Sequence, residues 1–233
     1  MTNLRTLLDP VLFSILPYVA VIMFLLMTIQ RYRVRTFTYS SLSSQFLENR
    51  QHFWAVVPFH YGILAILAAH FGTFLLPGTI LAWNSEPLRL YLLEITGLVF
   101  ALLSLVGLAA SIWRRATVTK VRIVTSTGDW VVFAMLLFQV LSGIAIALHY
   151  GWGSSWYAGV AAPYLWSIVR LNPEIDAIAA MPWMVRVHVI NAWLLIGVFP
   201  FTRLVHVLVA PNPYFWRKPQ VTRWYGKPNR SSL

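Results

Sequence analysis

The 233-residue chain is 58% hydrophobic and only 11% charged, too little polar surface for a soluble globular domain, so an integral membrane protein is expected. Its formal net charge of +11 reads mostly as a topology signal, with attraction to anionic lipid or an acidic partner as secondary readings; nucleic-acid binding is not expected. Cysteine is absent, which excludes disulfides, cysteine-ligated iron–sulfur clusters and thioether-bound haem, so any redox cofactor must be held by histidine.

The N-terminal MTNLRTLLDP has one Arg and one Asp ahead of an apolar run, with no small-residue cleavage site, and reads as the start of a retained helix. A span needs ~20 mostly apolar residues; stretches near 10–30, 53–76, 90–113, 127–149 and 184–210 qualify. The expected fold is all-α, a five-helix transmembrane bundle over 1–210, followed by a basic tail, 211–233, suited to docking a partner. Thirteen of the 18 basic residues fall on one side: Arg31, Arg33, Arg35 and Arg50; Arg114, Arg115, Lys120 and Arg122; and Arg217, Lys218, Arg223, Lys227 and Arg230. The other side has Arg5, Arg89 and Arg170. The positive-inside rule then puts the N-terminus outside and the C-terminus in the cytoplasm. Trp54, Trp83, Trp130, Trp152, Trp156, Trp183, Trp216 and Trp224 lie near span boundaries and read as an aromatic belt. The half-apolar connection from Trp152 to Trp183 is expected to form a short helix on the outer surface, a lid over a site there.

Four histidines lie inside spans as two pairs, His60 with His70 and His188 with His206. A lone intramembrane histidine most simply bonds a neighbouring helix, but a pair on each of two helices points to function. Two neutral imidazoles on one haem iron leave no open position, which suits electron transfer; two b-type haems are expected. The second and fifth spans run antiparallel, so His60 faces His206 toward the cytoplasm and His70 faces His188 toward the outside. Ten residues of helix rise ~15 Å but eighteen rise ~27 Å, and eighteen residues are five whole turns, so His188 and His206 are expected to share one helical face, whereas ten leave His60 and His70 roughly 80° apart. Tilt or a kink at Pro200 must absorb the difference. His52 and His149 sit at interfaces and need no special role.

Arg203 and Arg186 near the ends of the fifth span are candidate partners for haem propionates, against simple snorkelling. Asp129 reads first as a helix cap. Glu94 reads as a proton acceptor or as a partner of Arg89 or Arg186. Gly62 and Gly72 read as room for a porphyrin or as ordinary helix contacts.

The strings PFHYGILAILAAHFG and RVHVINAWLLIGVFPFTRLVHV resemble the gamma subunit of membrane-bound respiratory nitrate reductase, and the likeness covers nearly the whole chain. The resemblance implies a cytoplasmic-side haem on His60 and His206 and an outer haem on His70 and His188. It also implies quinol oxidation beside the outer haem, and transfer of electrons to an iron–sulfur beta subunit and a molybdenum alpha subunit. The terminal reduction site is then not on this chain, and the same wire run backwards would serve a nitrite oxidoreductase. Arg89 is the nearest match to the family's quinol-site basic residue, and Ala69 stands where the family has glycine. The rivals are the cytochrome b subunit of a sulfur-cycle or heterodisulfide-type reductase complex and a haem-free histidine-relay transporter.

Overall fold

A computed structural model of the chain describes residues 4–34 and 52–208. Arg35, Arg50, Trp216, Trp224 and the basic tail lie outside the described residues, as do the side chains of Arg5 and His52. Every regular element among the described residues is helical. Five helices are long and apolar enough to cross a bilayer: Leu7–Val34, Phe53–Leu75, Pro87–Thr117, Thr127–His149 and Trp183–Phe201. The chain is an integral membrane protein with five spans. The first and third run further than expected, and the fifth stops short of 210.

The second and third spans pack most closely, because small residues let their backbones meet. A Cβ on Gly62 would lie 2.6 Å from Phe100 O and Ser104 N, and one on Gly107 would lie 2.7 Å from Phe59 Cα. Ser111 Oγ also donates to Ala55 O at 2.8 Å. The pairs 55 with 111, 59 with 107 and 62 with 104 define one antiparallel register. Gly62 therefore serves helix contact, not porphyrin clearance, whereas nothing lies within 4 Å of a Cβ built on Gly72. The fourth span joins this pair through Val140 and Ile144, which pack with Leu108.

The fifth span lies parallel to the first. Gly197 packs on Ala20, its Cβ position 3.5 Å from Ala20 Cα, and Phe199 meets Phe24 edge-on at 5.4 Å. At the other end of this pair Arg186 forms an ion pair with Asp9 and stacks over the Phe13 ring at 5.4 Å. Arg186 is thus engaged inside the bundle rather than reaching out to the interface.

The Trp152–Trp183 connection is helical, over Gly153–Trp156, Tyr157–Ala161 and Ala162–Val169, but it is built into the bundle. Ala158, Ala161, Ala162, Tyr164 and Ile168 are buried. Pro17 has no N–H for the carbonyl four residues back, and Tyr164 donates its hydroxyl to that carbonyl, Phe13 O, at 2.8 Å. Tyr18 donates to Ile168 O at 3.1 Å and Trp166 Nε1 to Phe74 O at 2.8 Å. Ile168 and Phe74 lie in final helical turns, whose carbonyls lack partners within the helix.

Candidate functional site

His60 and His70 both project from the unbroken helix His52–Leu75. The fifth-span helix instead ends at Val198, ten residues past His188 and so ~15 Å along the axis, the same rise as from His60 to His70. A 3-10 turn follows at Phe199–Phe201, then Thr202 in extended conformation (φ −112°, ψ 176°), then a second 3-10 turn at Arg203–Val207. The expectation that His188 and His206 share one helical face is thus corrected: His206 lies beyond the helix. Pro200 contributes by withholding an N–H. Thr202 completes the break, its hydroxyl donating to Phe199 O at 2.8 Å and accepting from Leu204 N at 3.1 Å. Arg31 of the first span binds the carbonyl of Pro200 and, at 3.1 Å, that of Thr202.

This break brings His206 to His60, ring centroids 6.0 Å apart and planes at 69°. His60 Nδ1 lies 2.8 Å from Val56 O, and His206 Nδ1 lies 2.9 Å from Arg203 O. A carbonyl only accepts, so Nδ1 carries the hydrogen in both rings and each Nε2 keeps its lone pair. His70 has the same arrangement, with Nδ1 2.8 Å from Ile66 O.

The other two rings are held by other neighbours. His70 meets the edge of Tyr157 at 4.9 Å, and the Tyr157 hydroxyl donates to His70 O at 3.3 Å. His188 faces the fourth span, where Ser142 Oγ lies 2.8 Å from Nδ1 and Gln139 Nε2 lies 3.0 Å from Nε2. Asn191 donates to Gln139 Oε1 at 2.6 Å. Gln139, Ser142 and Asn191 escaped the sequence reading. Polar side chains within the fourth and fifth apolar runs were the available signal, and what they bond depends on the packing of those two spans. Among the described residues no three His, Asp or Glu side chains gather as a metal site.

Asp129 is the cap it was expected to be. Ser126 and Asp129 form a reciprocal capping box, with Asp129 Oδ2 2.9 Å from Ser126 N and Ser126 Oγ 3.2 Å from Asp129 N. Its Oδ1 also pairs with Arg203 Nε at 3.0 Å, and Arg203 Nη2 donates to Val124 O at 2.8 Å. Arg89 is exposed and stacks over Trp83 at 5.2 Å. Glu94 pairs with neither Arg89 nor Arg186: its Oε1 accepts from Ser154 N at 2.8 Å and Ser154 Oγ at 2.6 Å. His149 bonds Ala145 O at 2.8 Å and is exposed.

The chain matches a family model described as nitrate reductase gamma subunit over residues 9–225. It is 32% identical to the respiratory nitrate reductase 2 gamma chain of Escherichia coli (strain K12), over 91% of this chain and 95% of that one. Its identity to the nitrate reductase gamma chain of Bacillus subtilis (strain 168) is 28%, over 91% and 97% respectively. It is also 30% identical to the nitrate reductase-like protein NarX of Mycobacterium tuberculosis (strain CDC 1551 / Oshkosh), over 88% of this chain and 32% of that protein.

Proposed function

The chain belongs to the nitrate reductase gamma subunit family, and from that premise we propose that it is the membrane-anchoring dihaem b cytochrome subunit of a nitrate reductase complex, oxidising quinol near the outer face. Its partners would be an iron–sulfur beta subunit and a molybdenum alpha subunit on the cytoplasmic side. The observation that carries this reading is the His60–His206 pair. These rings stand with their centroids 6.0 Å apart, and each keeps an unprotonated Nε2, the kind of donor pair that would hold a bis-imidazole haem. Both Nδ1–H groups are held by backbone carbonyls, the support that fixes a ligand's tautomer and orientation. With no third His, Asp or Glu at hand among the described residues, two imidazoles suit an iron that brings its other four ligands with it.

His60 and His206 would hold the cytoplasmic-side haem, and His70 and His188 the outer one, with the Gln139 side chain giving up its contact at His188 Nε2. Bound at these positions, haem supplies reversible one-electron transfer at an iron with no open position. Arg203 spends two of a guanidinium's five N–H donors on Asp129 and Val124, and the remainder would serve a propionate. Arg89, stacked on Trp83 at the end of the bundle that holds His70 and His188, would meet the quinol head group. Protons would leave on that side. Lys120 and Arg122, exposed at the opposite end, with the 211–233 tail, would face the partner subunits.

A reduced-minus-oxidised spectrum of the purified chain with haem quantification tests the proposal. Two b-type haems are expected, with one lost in His60→Ala or His206→Ala and the other in His70→Ala or His188→Ala. No b-type signal in the wild type sinks the reading.

A further inference from the structure

His188 differs from the other three histidines in what holds it. His60, His70 and His206 bond carbonyls of their own segments, whereas His188 is held by side chains of the fourth span. Ser142 is buried, with Oγ 2.8 Å from His188 Nδ1 and 3.1 Å from Gln139 O. A hydroxyl has one hydrogen and the carbonyl can only accept. The Ser142 hydrogen therefore goes to Gln139 O, and Oγ receives the imidazole Nδ1–H. This leaves Nε2 as the ring's lone-pair nitrogen, the same tautomer as in the other three.

Two further features hold the ring there. Gly143 follows Ser142, and a Cβ on it would lie 3.2 Å from His188 Cε1, so the imidazole rests against bare helix backbone. Asn191, three residues after His188, donates to Gln139 Oε1 at 2.6 Å and to Met135 O at 3.1 Å. With its oxygen so held, Gln139 turns its amide nitrogen toward the ring.

We infer that Ser142 is a positioning residue for His188, fixing its tautomer and raising its basicity as a ligand, and thereby lowering the midpoint potential of the outer haem. The inference rests on the ligation proposed above. A hydrogen bond accepted from Nδ1–H gives the ring more electron density to offer iron, which favours the oxidised metal. The three backbone carbonyls cannot be altered by substitution, but the Ser142 hydroxyl can.

The test is a redox titration of the purified complex, followed by haem absorbance and by the low-spin resonances, for wild type, Ser142→Ala and Ser142→Thr. Ser142→Ala is expected to shift the midpoint of the outer haem upward and move its resonance, while the haem lost in His60→Ala stays unmoved. Ser142→Thr, which keeps the hydroxyl, is expected to restore both. Selective loss of the outer haem in Ser142→Ala, recovered in Ser142→Thr, also supports the inference, since removing an outer-shell partner weakens metal hold by roughly ten- to a hundred-fold. Unmoved midpoints with both haems retained overturn it, as does an equal shift of both. A wild type without two b-type signals removes the ligation reading itself, an outcome distinct from two wild-type signals that Ser142→Ala leaves unchanged.

Discussion

Single atoms decide much of this bundle, and glycine shows it most directly. Gly107 lets the third span lie against the backbone of Phe59, the residue before His60, with a Cβ position only 2.8 Å from Phe59 Cβ. Gly107→Val should therefore push the second span off, costing about 1–3 kcal/mol. The change should lower the midpoint of thermal unfolding and weaken the haem lost in His60→Ala; an unchanged midpoint would show that the helices do not meet there. At the start of the fourth span, Asp129 closes the capping box with Ser126 and pairs with Arg203. Asp129→Ala should cost about 1 kcal/mol as a lost cap, and Arg203→Ala less, because that guanidinium is partly exposed; unfolding of the two variants compares the costs. The cap was legible from neighbouring residues. Glu94 and Arg186 were not, because their partners Ser154 and Asp9 lie tens of residues away.

At the scale of elements, the break after the fifth-span helix matters most. Pro200 marked the place, but the geometry also depends on Thr202 bonding in both directions and on Arg31 reaching across from the first span. Arg31→Gln should loosen this segment and weaken the haem lost in His206→Ala while sparing the one lost in His188→Ala. Haem quantification checks it, and equal loss of both would argue against the brace. The outer connection makes a second case. Half-apolar composition suggested a surface lid, yet Tyr164 is buried and bonds Phe13 O. Burial pushes the Tyr164 phenol above its ordinary value. Its neutral form thus favours the fold in full below the unfolded value of about 10, and that contribution is lost as pH rises through the folded value. Tyr164→Phe should lose about 1 kcal/mol at neutral pH and show a shallower alkaline loss of stability than the wild type; parallel pH profiles would reject the assignment.

For the whole molecule, contacts divide the bundle into two ends. Asp9 with Arg186, Asn84 with Ser154, and Phe74 with Trp166 meet at one end; Arg31 with Thr202, Arg115 with Thr125, and Arg203 with Asp129 meet at the other. The charge asymmetry leads us to expect the second end in the cytoplasm. A phosphatase active only outside the cell should work when fused near Ser85, and a reporter fluorescent only in the cytoplasm should light at the C-terminus; the reverse pattern would invert the topology. The sequence by itself determined the five spans, the all-α class and the four intramembrane histidines, because hydropathy and composition are properties of residues along the chain. Only the tertiary structure decided that His206 leaves the helix to meet His60, and that His188 is held by Ser142 and Gln139. Those outcomes depend on contacts between distant segments, where the angle of one backbone break and the register of two packed helices fix what each side chain can reach.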